Sequence, residues 1–160
     1  MPYQPNQDIC SNERDDIGLA QLLQQQLKRY GDQVAIESAG QFVTFRELHF
    51  KALSLMREMK KHQIRAEEPV GILTSRGVNH ILSQIAVVYA GGSCVPLDDD
   101  HSDQHLGDLL RNLGGSIVLT SIEYDCRLPE LKHIAVTPVM EASLIVDSIE
   151  VSRNGPMCRS

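Results

Sequence analysis

Three short apolar runs, each separated from the next by a segment of helical period, constrain this chain more than any other feature. The runs are Val70-Gly71-Ile72-Leu73, Cys94-Val95-Pro96-Leu97 and Ile117-Val118-Leu119-Thr120. Each is too short for a stable helix and too evenly apolar for a strand with one wet face. Val70–Leu73 reads as a strand buried on both faces of a parallel sheet, Ile117–Thr120 as another buried strand and Cys94–Leu97 as a short strand between them. Between the first two, Val78, Ile81, Leu82, Ile85, Ala86, Val88 and Tyr89 recur at helical spacing over about fourteen residues, the length of a crossover. Between the second and third, Leu106, Leu109, Leu110 and Leu113 do the same, with Ser102 placed to cap the helix. Gly91-Gly92 and Gly114-Gly115 follow the two helices and stop them. Pro96, with no N–H to give to a ladder, belongs near the end of its strand. Strand–helix–strand, twice over, specifies an α/β fold with a mostly parallel sheet and flanking helices, connected by right-handed crossovers.

Upstream the pattern differs. Residues 1–14 read as a flexible polar leader, and Asp15 and Asp16 are placed to cap a first helix. Its apolar stripe would be Leu19, Leu22, Leu23, Leu27 and Tyr30, ended by Gly31 and Asp32. A short N-terminal β-hairpin follows, Val34-Ala35-Ile36 against Phe42-Val43-Thr44-Phe45, with Gly40 supplying positive φ in the turn. Thr44 and Glu47 have capping-box spacing, so the second strand should pass directly into a helix that buries Leu48, Ala52, Leu55, Met56 and Met59. The cations Lys60, Lys61 and Arg65 and His62 crowd its far end, where they suit the helix dipole. Beyond Ser121 the signal weakens: Ile134-Ala135-Val136 reads as one more strand, Leu144-Ile145-Val146 as a further candidate, and the last ten residues show no period. The division is therefore a leader over 1–14, a folded domain over 15–137 and a divergent C-terminal tail over 138–160.

Fifteen basic against twenty-one acidic residues give a formal charge of −6, which excludes the broad basic footprint of a nucleic-acid binder. No apolar run approaches the roughly 18 residues of a membrane span, and the polar opening has no secretory signal. Cys10, Cys94, Cys126 and Cys158 are widely spaced, with neither zinc spacing nor a disulfide framework. Reduced, partly buried thiols and a cytoplasmic location are the expectation.

No residue is assigned a catalytic, cofactor-binding or metal role from the residues alone. The glycines form neither GxGxxG nor GxxxxGK[ST], and both glycine pairs follow a helix rather than open one. Asp98, Asp99 and Asp100 sit just past a strand, where α/β ligands collect, and carboxylates there have the chemistry to hold Mg²⁺. They alternate in direction without a second fixed partner, so a solvated acidic turn, one member capping the next helix, is the expected role. His101 and His105 have the spacing to share a helix face but lack a third ligand in sequence. Ser75, Ser83, Ser93 and Ser121 lie in no GxSxG elbow, and Cys94, inside an apolar strand, is expected to be inert. His62 and His133 read as helix-end and strand-edge residues. Arg76, at a strand-to-helix turn, is the one cation placed to meet an anion.

Two stretches carry a resemblance. Val43-Thr44-Phe45-Arg46-Glu47-Leu48 resembles the first core motif of adenylate-forming, AMP-binding enzymes, an aromatic-x-x-Glu-Leu signature after a hairpin. Val88-Tyr89-Ala90-Gly91-Gly92-Ser93-Cys94-Val95-Pro96-Leu97-Asp98 resembles their second, which ends in valine-proline-leucine-aspartate-proline. Pro69 to Leu73 with Arg76 resembles the strand and turn between them. Over residues 17–121 the pattern is most similar to adenylation domains of nonribosomal peptide synthetases.

That resemblance implies part of the N-terminal subdomain of the adenylate-forming fold. It also implies, for the complete family, ATP and Mg²⁺, formation of an acyl-adenylate with release of pyrophosphate, and transfer to a carrier thiol. Asp99 and Ser102 stand where the family has prolines, and His105 where it has an arginine. Nothing from Thr137 to Ser160 resembles the family's serine/threonine/glycine-rich phosphate loop. The expectation is a truncated, non-catalytic adenylation-like protein associated with secondary-metabolite synthesis, binding no cofactor by itself. The alternatives are one part of an ATP-dependent ligase whose remaining segments lie elsewhere, and a module that binds another protein.

Overall fold

The computed structural model describes residues 18–136. The leader, Asp15 and Asp16, and the tail with Leu144–Val146 lie outside the described residues. Chain order is α1 (Leu19–Arg29), β1 (Val34–Ser38), β2 (Gln41–Thr44), α2 (Phe45–Lys61), β3 (Pro69–Leu73), α3 (Val78–Ala90), β4 (Ser93–Pro96), α4 (Asp103–Asn112), β5 (Ile117–Thr120), a single 3-10 turn at Ile122–Tyr124, and β6 (Lys132–Ala135). β1 and β2 form the antiparallel hairpin. Its two-residue turn places Ala39 at φ 51° and Gly40 at φ 76°, the doubly positive conformation that matches strand twist. The capping box forms as its spacing requires: the Glu47 N–H donates to Thr44 Oγ1 at 3.2 Å, and the Thr44 N–H donates to Glu47 Oε2 at 2.8 Å.

The remaining four strands form one parallel sheet in the order β4-β3-β5-β6. Alternation along the strands divides two cores. Val70, Ile72, Ile117, Leu119 and Ile134 face α2 and α3, where Ala52, Met59, Leu82, Ala86 and Val87 complete a dry layer. Leu73 and Val118 face the other side, against Leu97, Leu106 and Leu128. Fully burying one such aliphatic side chain contributes about 1.5–3 kcal/mol. Glycines let backbone approach on the second side. A Cβ at Gly71 would stand 3.0 Å from methyl carbons of both Leu97 and Leu110, and one at Gly115 would stand 2.5 Å from the Pro69 carbonyl oxygen. Gly115 is therefore a packing position, while Gly114, at φ 83°, is the turn out of α4.

Several expectations change. The N-cap of α1 is Gly18, with no side-chain cap, so the helix starts after the two aspartates assigned to that role. Only Leu27 of its stripe is fully buried; Leu19 and Leu22 are exposed, and Tyr30 is the C-cap. One helix face is wider than the surface α2 and α3 offer it. Among the described residues β4 lies at the edge of the sheet and is half-buried, with β3 on one side of it. Leu109 and Leu113 are exposed, leaving Leu106 and Leu110 to anchor α4. Ser102 alone caps α4, accepting from the His105 N–H at 3.3 Å, and none of the three aspartates does so.

Candidate functional site

The chain leaves β3 through Thr74–Gly77 toward α3 on one face, and leaves β4 through 97–102 toward α4 on the other. Adjacent strands whose exits diverge leave a crevice at their carboxyl ends, the place where ligands of open α/β sheets bind. Here it encloses about 680 Å³, with Thr74, Ser75, Arg76 and His80 on the β3 side and Pro96–Asp100 on the β4 side. Tyr124, from the connection after β5, closes a third wall.

The sequence-nominated Arg76 and Asp98, Asp99 and Asp100 therefore meet in one cavity. The three carboxylates are exposed, with one oxygen of each within 4.8 Å of the others. Their local bonds are those of an acidic turn: Asp98 Oδ1 accepts the Asp100 N–H at 3.1 Å, and Asp99 Oδ2 accepts the Tyr124 hydroxyl at 2.7 Å. That hydrogen bond, above all, holds the Asp99 carboxyl below its ordinary range, with the cations Arg127 and Arg76 adding to it. The same bond raises the Tyr124 hydroxyl. Thr74 Oγ1 and His80 Nδ1 lie 3.3 Å apart.

Arg127 fixes the loop. Its Nε donates to Asp103 Oδ1 at 2.6 Å, Nη1 to the Asp99 carbonyl at 2.9 Å and Nη2 to the His101 carbonyl at 2.6 Å. The connection from β5 to β6 is thereby strapped onto the acidic turn. Neither Tyr124 nor Arg127 was legible in the sequence, because both fall where periodicity has stopped.

The other nominated residues lie apart. The His101 and His105 rings stack with centroids 5.0 Å apart. Among the described residues, Asp98–Asp100 is the one group of three metal-type ligands close enough to share an ion, and neither histidine joins it. Cys94 is half-buried, its Sγ 3.5 Å from the Gln84 carbonyl, and burial pushes its thiol up. Cys126 is exposed, against the expectation of partly buried thiols. Ser83 is buried and donates to the Asn79 carbonyl at 2.7 Å. His62 caps the end of α2, and His133 Nε2 donates to the Leu128 carbonyl at 2.8 Å.

One buried polar pair lies outside the crevice. His49, 4% exposed, holds its Nδ1 3.0 Å from the Tyr89 hydroxyl across α2 and α3. Burial first, and Lys28 second, lower the His49 pKa, while burial pushes Tyr89 up to about 12. Tyr89 reads in sequence as one more apolar helix position, and His49 sits beside the apolar Leu48, so neither announces the pair.

A family model for AMP-binding enzymes matches residues 23–157. Among curated relatives, the nonribosomal peptide synthetase asaC of Aspergillus flavus is 36% identical over 120 residues, 75% of this chain and 12% of the relative. Among solved structures, the nonribosomal peptide synthetase FmoA3 in an AMPPNP-bound form aligns with TM-score 0.71 at 23% identity, over 78% of this chain and 14% of that one. The Klebsiella oxytoca NpsA N-terminal subdomain aligns with TM-score 0.64 at 17% identity, over 89% of this chain and 33% of that one. The chain thus spans about an eighth of the length of that synthetase relative.

Proposed function

The chain belongs to the AMP-binding enzyme family, and from that premise we propose that it forms part of the N-terminal scaffold of an adenylation domain and does not adenylate an acid by itself. It is related to the adenylation domains of nonribosomal peptide synthetases, and the family works with ATP. The observation that carries the proposal is the charge of the strand-switch crevice. Phosphoryl chemistry concentrates negative charge and needs cations and N–H donors around it. The crevice gathers three carboxylates against one guanidinium, and Asp99 is already engaged by Tyr124. That charge balance disfavours a triphosphate there. In this reading ATP and its Mg²⁺ are held by segments other than residues 18–136, whether on the same polypeptide or another.

ATP–pyrophosphate exchange by the 160-residue chain, with a panel of amino and aryl acids, tests the proposal. Exchange at background is expected, and acid-dependent exchange above background would overturn it.

A second reading, a module that binds another protein, is favoured by exposed apolar side chains: Leu19, Phe42, Phe50 and Ile122 are 61%, 61%, 62% and 84% exposed. A cooperative urea transition together with a monodisperse complex supports it; an aggregating chain counts against it. No helix among the described residues is long and apolar enough to cross a membrane. A cytoplasmic location is part of the proposal and rests on the wide spacing of the four cysteines in the sequence.

A further inference from the structure

The end of α1 and the first turns of α2 enclose a second cleft, of about 270 Å³, whose walls are Leu27, Lys28, Gly31, Arg46, His49 and Phe50. We propose that this cleft binds a small carboxylic acid with an apolar body, a single ring or a branched chain. The inference rests on this cleft alone and is independent of the family reading.

Its inner wall is the buried His49–Tyr89 pair. Tyr89 keeps its proton throughout the physiological range, and its hydroxyl shares a hydrogen bond with His49 Nδ1 at 3.0 Å whose direction follows the imidazole tautomer. A neutral imidazole that accepts at Nδ1 carries its own proton on Nε2. No bond from a described residue to that second nitrogen is seen, so in this tautomer, and as imidazolium, the ring offers an N–H donor to the cleft that it lines. Leu27, 4% exposed, and the Phe50 ring, whose centroid lies 5.7 Å from that of His49, supply apolar walls.

Two cations stand at the rim. Lys28 comes from α1 and is near enough to act on the His49 charge. Arg46 lies across Gly31, where a Cβ would stand 3.4 Å from its Nη2. Asp32 accepts one bond from that Nη2, at 2.7 Å, and leaves the pair of cations with one charge in excess. His49 thus meets the charge of Lys28 from α1 and the Tyr89 hydroxyl from α3, while Arg46, paired with Asp32, lines the same cleft.

These walls discriminate. A neutral apolar guest would fill the cleft but leave the imidazole and the excess positive charge at the rim without an acceptor. A phosphate would satisfy them but place its remaining oxygens against Leu27 and Phe50. A carboxylate on an apolar body meets both requirements. The volume lies just under the range of drug-sized pockets, which sets the guest at one ring or a short branched chain. A bound anion favours imidazolium, so binding strengthens as pH falls toward the His49 pKa, and the acid raises that pKa in turn.

The test is a titration of the 160-residue chain by two-dimensional amide and imidazole NMR with sodium benzoate, and with benzamide as the uncharged probe of the same shape. Benzoate should produce saturable shifts at Gly31, Phe50 and the His49 ring with a dissociation constant of about millimolar order, and benzamide should bind about tenfold more weakly. The exposed substitution Lys28→Gln, which leaves the core intact, should weaken benzoate about three- to tenfold. The His49 titration should move upward on saturation with benzoate. Absence of saturable shifts at these residues, equal binding of benzamide, or an unmoved His49 titration would each overturn the proposal.

Discussion

Replacing Glu68 with glutamine should cost about 1 kcal/mol at neutral pH, and that cost should vanish in acid. The Glu68 side chain is only 4% exposed at the start of β3, where Oε2 accepts from the Arg65 N–H at 2.9 Å and from Arg65 Nε at 3.2 Å. Its Oε1 accepts from the Ser116 hydroxyl at 3.2 Å, joining the approach to β3 to the approach to β5. Burial pushes the carboxyl up, but these bonds outweigh it and leave its pKa below the ordinary value. Hydrogen bonds to a charged acceptor contribute about 1.5–3 kcal/mol each against about 0.5–1.5 for neutral ones. The Arg65 side chain is 73% exposed, so the ion pair adds little beyond this. Glutamine keeps the shape: its carbonyl accepts from Arg65, and the Ser116 hydroxyl rotates to accept from its amide. The lost charge alone sets the estimate, whereas Glu68→Ala, which strands Ser116, should cost about 3 kcal/mol. The sign of the pH effect follows from the depressed pKa. The stabilisation is complete above the ordinary glutamate value and is lost as pH falls through the lower folded value. Urea midpoints of wild type and Glu68→Gln should therefore differ at pH 7 and converge on acidification. A gap that stays constant from pH 7 down to the lowest pH at which the fold persists would refute the reasoning.

Three other outcomes follow from packing and caps. Gly115→Ala must push a methyl to 2.5 Å from the Pro69 carbonyl oxygen, so chemical unfolding should show a loss of about 3 kcal/mol, at the upper end of overpacking costs. Thr44→Ala removes half of the capping box and should cost about 1 kcal/mol in the same assay, with the hairpin amides exchanging faster. With alkylation followed peptide by peptide at mildly alkaline pH, Cys126 should react well before Cys94, whose thiol is half-buried and raised in pKa.

What the sequence disclosed and what it withheld divide by the range of the forces involved. The β3, β4 and β5 runs, the two crossover helices and the Thr44–Glu47 box are local patterns, and each forms where its spacing puts it. Which apolar residues reach the core depends on distant partners. The α1 stripe is a sound helical pattern, yet only Leu27 finds full burial, because α2 already packs against α3. Gly115 looks like one half of a helix stop, and its true neighbour, the Pro69 carbonyl, lies more than forty residues away in the chain. The site divides the same way. Asp98–Asp100 and Arg76 stand out as charges at strand ends, whereas Tyr124 and Arg127 gain their roles only when the β5–β6 connection folds back.

That fold-back bears on what the acidic turn can do. An unengaged carboxylate cluster at a strand switch would be a ready cation trap, and conversion to ligand duty would cost it nothing. Here Arg127 takes two carbonyls of the turn and the Asp103 carboxylate, while Tyr124 takes Asp99. Asp99 Oδ2 already accepts the Tyr124 hydroxyl that depresses its pKa, and any movement of the backbone at 99 or 101 must loosen the guanidinium clamp. Movement of the turn is thus coupled to release of the connection leading to β6, the outer strand of the described sheet. Of the carboxylates that look most like a ligand set, Asp99 joins the backbone of the turn and Asp103 in anchoring the connection to the last described strand.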